Sequence, residues 1–292
     1  MKISLIIPSL NDPTLAHTLK ALSNQTYPPD EIIVVGRDEK NALASFPQVR
    51  FIDTLQPASA ARARNLGMQE ARGDIFLFTD ADCVPEPDWA TNHLVRHAEG
   101  EQVVGGSVAL KGSNYWAQSD NVALFHEFLP EHPQSLRFQL PTLNLSLRRT
   151  VYDAVGGLDE SFPGAAGEDT DWTIRMRLAG YRLFFEPKAV IQHKPSRTTW
   201  PDIVHHWRRL GHNGVRVRWL YAAEYKTPHL ARRSFWWRTL SPLIAACITA
   251  GIYANPNLWP YWKSFPVVYA TKILYCLGAA TSVDSGFAFK AS

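Results

Sequence analysis

The sequence predicts an α/β protein with a mostly parallel sheet flanked by helices. Three observations lead there. Residues 3–7 (ISLII), 31–35 (EIIVV) and 75–79 (IFLFT) are short, continuous apolar runs, the pattern of strands buried on both faces. The segments between them carry helical spacing. Strands and helices alternate, which in buried sheets means parallel pairing through helical crossovers.

Taken in order, the first strand at 3–7 is expected to stop at Pro8. Residues 14–24 place Leu15, Leu19 and Leu22 on one helical face. After the strand at 31–35, residues 49–52 (VRFI) form a shorter one. Residues 58–71 read as an Ala-rich helix stopped by Gly73, leading into the strand at 75–79. Residues 87–98 are helical and 103–109 (VVGGSVA) a strand. Residues 112–138 are aromatic and read as loop. Residues 142–147 (TLNLSL) alternate as a half-exposed strand, and 149–155 form a short helix. Residues 168–179 form a helix closed by Gly180, with strand pieces next at 181–185 and 189–192.

Composition narrows the function. With 46% apolar and 20% charged residues in 292, the chain can bury a large core and is not disordered. Net charge of +3 gives no reason to expect a nucleic-acid partner. Three scattered cysteines make neither a disulfide framework nor a structural zinc site, and a reducing compartment is expected. The N-terminal apolar run breaks too early for a secretory leader. The average hides an asymmetry: residues 1–193 hold 17 basic and 24 acidic residues, while 194–240 hold 10 basic and 2 acidic. Seven of the ten tryptophans lie at or after Trp200, so the last third is a chemically distinct region.

Four features carry chemistry. Asp80 and Asp82 come directly after a buried strand, where open parallel sheets bind ligands. If that stretch is extended, the two carboxylates point the same way and offer a hard oxygen site for Mg²⁺ or Mn²⁺. An acidic turn in solvent is the plain alternative. Glu168, Asp169 and Asp171 open a helix, either as favourable helix-dipole charge or as a general base on a rigid support. His193 ends a strand-like run and is either structural or the nitrogen ligand of a metal. Arg62 and Arg64 near a helix start suit phosphate, or are ordinary surface arginines.

Together these blocks resemble the inverting family-2 glycosyltransferases. The resemblance runs over about residues 3–200 and keeps the family's order: IIPSLN, EIIVV, ARARNLGMQEARGDIFLFTDAD, TLNLSLRR, then GGLDESFPGAAGEDTDWTIRMRLAGYRLFFEPKAVIQH. It implies a Rossmann-like GT-A fold, with a nucleotide-binding half at about 1–110 and an acceptor half at about 111–200. It implies metal-dependent transfer of a sugar from a nucleotide-diphosphate donor to a hydroxyl of a saccharide or polyprenyl-linked acceptor. By the same resemblance, Asp82 holds the Mg²⁺ or Mn²⁺ ion, with Asp80 and His193 as further metal-site residues. Asp80 also lies near the ribose and sugar. Asp169, paired with Glu168, matches the general base. Pro8, Asn11 and Arg64 match positions lining the nucleotide, and Asn144 a strand bordering the sugar. Relatives often carry two acids after the second strand, the first contacting the base. Here Gly36 stands at that position, and Asp38 is the substitute. UDP is the first donor nucleotide to consider, with GDP and dTDP open.

Residues 201–292 are expected to form a basic, Trp-rich helical region lying at a membrane interface. Arg208, Arg209, His212, Arg216 and Arg218 accompany apolar residues at near-helical spacing. The uncharged run 243–254 is too short to span, and 265–281 is interrupted by Pro266 and Lys272. Contact through residues 202–281 would place the protein on the cytoplasmic face of a membrane; a buried helical subdomain is the alternative. Two other functions are open: an inactive GT-A-like sugar-binding or membrane scaffold, and a D-x-D phosphotransferase. The second normally has Gly-Thr after its motif, where this chain has Cys83-Val84.

Overall fold

The structure is a computed structural model describing residues 1–164 and 166–290. The chain runs β1 (Ile3–Leu10), α1 (Leu15–Ser23), β2 (Glu31–Arg37), β3 (Arg50–Asp53), α2 (Ala60–Glu70), β4 (Ile75–Thr79), β5 (Cys83–Pro85), α3 (Trp89–Ala98) and β6 (Val103–Ala109). It continues with α4 (Tyr115–Phe125), β7 (Ser135–Leu136), β8 (Asn144–Arg148), α5 (Arg149–Val155), α6 (Glu168–Leu178) and β9 (Leu183–His193). Helices α7 (Trp200–Leu220), α8 (Ser234–Thr239), α9 (Ser241–Tyr253) and α10 (Phe265–Asp284) complete it.

Two compact units emerge. The first holds Met1–Ala109, Glu127–Glu160 and Glu168–Lys194; the second takes the intervening segments and the chain from Pro195 onward. The acceptor half expected at 111–200 is therefore shared between both units.

The first unit is a mixed sheet in the order β3-β2-β1-β4-β8-β6-β9-β5, with β7 on β9. Strands β3, β2, β1 and β4 are parallel, as their unbroken apolar runs predict. Strand β8 then runs antiparallel to both β4 and β6. Every residue of β4 is buried, so its carboxyl end is a rigid platform for the turn at Asp80.

Local chemistry explains the departures from expectation. β1 continues past Pro8 to Leu10, because its ladder with β4 ends at Ile6–Phe78 while pairing with β2 continues to Arg37. Pro8 thus needs no donor toward β4. Gly36 has φ +142°, and a Cβ there would lie 1.8 Å from the Ser9 carbonyl oxygen. No side chain fits, so an acid at that position is sterically excluded. Helix α4 lies within the segment expected as loop. Its buried face includes Ser119, Asp120 and Asn121, so no apolar periodicity announces it. The short β5, also unforeseen, pairs with β9 and sets Cys83 opposite His193.

Helix α2 is capped by Ser59, which accepts from the Arg62 amide at 3.2 Å. It lies tight on β1: a Cβ at Gly67 would meet Ile6 Cγ2 at 2.4 Å. Asn65 bonds both the amide and the carbonyl of Leu158, at 2.8 and 2.9 Å, fixing the helix from its other side. That close seating sets the position of Arg64.

In the second unit, α7 and α10 pack through small residues. Cβ atoms at Gly211 and Gly278 would strike Tyr275 and Arg208 carbonyl oxygens at 1.9 and 2.0 Å. Asp120 of α4 is fully buried and accepts from Trp207 Nε1 at 2.8 Å and Arg197 Nε at 3.0 Å. Pro266 lies at the start of α10, where proline is tolerated, and does not interrupt it. Lys272 donates to the Ala123 carbonyl at 2.9 Å and sits over the Trp207 ring. By length and composition the continuous stretch Pro256–Asp284 could cross a membrane, yet 56% of its apolar window is buried in the protein.

Candidate active site

The site is built at the carboxyl ends of β1 and β4, on either side of which the strand order reverses direction along the chain. Asp80 is the first residue past β4. The chain turns there, with the Cys83 amide donating to the Asp80 carbonyl at 3.1 Å. Residues 80–82 are therefore not extended, and the two aspartates part company.

Asp80 turns to Arg64. Arg64 Nη2 donates to Asp80 Oδ1 at 2.6 Å, and Nη1 lies 3.6 Å from Glu168 Oε1. Arg64 and Glu168 are each only 3% exposed, whereas Asp80 is 33% exposed. One buried guanidinium thus joins the acid after β4 to the acidic start of α6. Burial works against the Arg64 charge, but Asp80, Glu168 and Asp169 outweigh it and hold its pKa above the ordinary arginine value. Glu168, expected beside the base as a catalytic group, is a buried partner of Arg64.

Asp169 is the half-buried neighbour. Its Oδ1 accepts from the Thr170 amide at 2.7 Å. Burial pushes its pKa up from 3.8; Arg64 and the amides of Thr170 and Thr142 pull the other way, while Asp80 adds to the rise. A carboxylate whose pKa is lifted toward neutrality is better matched to general-base work. The rest of α6 is anchored away from the site: Trp172 Nε1 donates to the Gly156 carbonyl at 2.8 Å, and Asp171 holds Arg175 at 2.9 Å.

Asp82 turns to His193. Its Oδ2 is 3.4 Å from His193 Nε2, a closeness set by the β5–β9 ladder and by the Lys194 amide donating to the Asp82 carbonyl at 2.8 Å. A carboxylate oxygen and an imidazole nitrogen fit a divalent cation whose other positions are filled by phosphate oxygens and water. Asp80, the third residue expected at a metal, directs its Oδ1 to Arg64 instead. Among the described residues no group of three His, Cys, Asp or Glu side chains is gathered for a metal.

Two residues expected to line the donor have protein partners. Asp38 accepts from the amides of Ala42 and Leu43 at 2.8 and 2.9 Å, so both its oxygens cap the adjoining turn. Asn144 is fully buried. It donates to the carbonyls of Ser107 and Ala189 at 2.8 and 2.9 Å. Its Oδ1 lies 2.8 Å from Trp89 Nε1 and 2.9 Å from His93 Nε2. All its capacity braces the sheet against α3. Asn11 and Pro8 do lie at the carboxyl end of β1. Asn11 takes a left-handed φ of 55° and accepts from the Glu39 amide at 2.8 Å, tying the loops after β1 and β2 together.

The brace around Asn144 is not legible in the sequence as a whole. His93 and His97 flank Ser146 Oγ, each at 2.8 Å. Burial pushes their pKa values down to about 3 and about 4, so both are neutral near pH 7. The spacing of two histidines four apart on a helix is the one signal the chain carries for it. Asn144→Ala is expected to cost about 3 kcal/mol, because it orphans several buried polar groups at once. Urea unfolding measures this, and a cost below about 1 kcal/mol would refute the brace.

The site thus joins a parallel half-sheet feeding an acidic turn to a second acidic cluster at a helix start. The sequence comparisons are specific. Residues 4–149 match the family described as Glycosyl transferase family 2, and residues 100–282 match Glycosyl transferase family group 2. The chain belongs to glycosyl transferase family 2. It is similar to Glycosyltransferase AglE of Haloferax volcanii, 26% identical over 74% of this chain and 73% of the relative. It is also similar to the probable glycosyltransferase YdaM of Bacillus subtilis, 26% identical over 77% of this chain but 56% of the relative. Among solved structures, GalNAc-T7 with UDP, GalNAc and Mn²⁺ superposes with a TM-score of 0.58 at 15% identity, over 80% of this chain and 51% of that one. The mannosyltransferase PcManGT of Pyrobaculum calidifontis, with GDP-Man and Mn²⁺, does so at 0.55 and 17% identity, over 100% and 76%. At these identities the structural likeness speaks for the fold.

Proposed function

We propose that this protein transfers a sugar, with inversion, from a nucleotide-diphosphate donor to a hydroxyl of a saccharide or lipid-linked acceptor, and that it works at the cytoplasmic face of a membrane. The observation that carries this reading is the bridge by Arg64 from Asp80 to the acidic start of α6, which couples a donor-side acid to a base-side helix. Asp169 takes the proton of the acceptor hydroxyl as that oxygen attacks the anomeric carbon. A single displacement needs one base and no covalent enzyme intermediate. Arg64 offsets negative charge gathering on the departing diphosphate. Asp80 orients the ribose and sugar, while Pro8 and Asn11 line the nucleotide. Asp82 and His193 would hold Mg²⁺ or Mn²⁺, which when bound neutralises charge on the leaving group. That both structural neighbours were captured with Mn²⁺ supports the metal.

The test is calorimetric titration of UDP, GDP and dTDP, each with Mn²⁺ and with EDTA. Metal-dependent binding of one nucleotide is expected, and Asp82→Ala is expected to abolish it. Failure of all three to bind a folded protein would favour an inactive scaffold.

A further inference from the structure

The structure redistributes the C-terminal charge and aromatic residues and leaves an uncharged apolar surface exposed. The cluster expected to meet a membrane lies on α7, and part of it is internal. Arg216 is 1% exposed; it donates to Ser161 and the Lys290 carbonyl and sits over the Phe162 ring. The exposed apolar surface is elsewhere, on α9 and the turns after it. Leu243, Ala246, Cys247 and Ala250 recur on the outer face of α9, and none carries a charge. The surface continues into Trp259 and Trp262, which are 62% and 66% exposed. Trp259 Nε1 donates to the Tyr253 carbonyl at 3.1 Å, and the Tyr253 ring meets the Phe265 ring at 5.3 Å, so these residues are continuous with the end of α9.

Charge decides what covers it. From Tyr225 to Val283 the chain holds no Asp or Glu, while Lys226, Arg232, Arg233 and Lys263 are exposed; Arg238 is exposed too but is paired with Asp284. No charge of either sign lies between Ser241 and Trp262. This stretch is thus an uncharged apolar segment with exposed tryptophans, and the charges that flank it in sequence, Arg233, Arg238 and Lys263, are basic, Arg238 being held by Asp284. A second copy supplies the same basic flanks and not the acidic surface that would match them. An anionic bilayer supplies both the apolar depth for tryptophan and the opposite charge for the rim.

We propose that α9 and the Trp259–Trp262 turn dock on an anionic phospholipid bilayer, with Arg233 and Lys263 on its headgroups. This deepens the membrane location proposed for the transferase and rests on no assumption about the donor sugar. The test is flotation of the full chain with vesicles of phosphatidylcholine, with and without phosphatidylglycerol. Binding only to the anionic vesicles, weakened by salt, is expected. Trp259→Ser with Trp262→Ser, at unchanged melting temperature, is expected to abolish it. Arg233→Glu with Lys263→Glu, at exposed positions, is expected to lower it by about tenfold or more. Equal binding to both vesicles, no binding, or loss of a dimer in the Trp variant without vesicle binding would each overturn the proposal. Nucleotide titration of the same samples separates this outcome from failure of the transferase reading.

Discussion

Asp169→Asn is expected to lower turnover by about 10²- to 10⁴-fold, the range that a positioned general base contributes. The amide keeps size and helix position but cannot take the acceptor proton. Nucleotide affinity, measured by titration, should change little, because the proposed role of Asp169 is on the acceptor and not on the nucleotide. The pH profile gives a second readout. A base must be ionised to act, and burial sets the Asp169 pKa above 3.8. Activity should therefore fail as pH drops through a value higher than an ordinary aspartate's. Full turnover in the Asn variant would show that another group removes the proton.

The second large effect is expected at Arg64. Arg64→Met leaves Glu168 buried at 3% exposure without its cation and releases Asp80. Removing one partner of a buried pair costs about 3–5 kcal/mol, since the remaining charge stays desolvated. Urea unfolding measures that loss. Adding Glu168→Gln to Arg64→Met removes the stranded charge, so the double variant should regain much of the stability. It should not regain turnover, because Asp80 still lacks its guanidinium and, on the proposed mechanism, the diphosphate its counter-charge. The acidic limb also responds. Arg64 lowers the Asp169 pKa, so its removal should move the loss of activity to higher pH. A single variant as stable and active as the parent would mean that the bridge is incidental.

Both predictions concern residues that could be named from the chain alone, while their partnerships could not. The continuous apolar runs at residues 3–7, 31–35 and 75–79 were enough for the parallel half of the sheet, because each strand's burial is written in its own few residues. The order of acids along the chain, Asp80, Asp82, Glu168 and Asp169, was equally legible. The antiparallel insertion of β8 was not, since strand direction depends on which edge receives it. Nor was α4, whose buried face is polar and satisfied by Trp207 and Arg197, far along the chain.

Tertiary structure alone divided the labour among the candidate residues. It turned Asp80 to Arg64 and Asp82 to His193, because the chain bends directly after β4. It made Asn144 a brace, using up its hydrogen-bonding capacity, and Asp38 a cap. It took Arg216 inside and left α9 and its tryptophans outside. Residue type and local spacing say what chemistry a side chain can perform. Burial and the choice of partner say which of those possibilities survive, and both are set by segments that meet only when the chain folds.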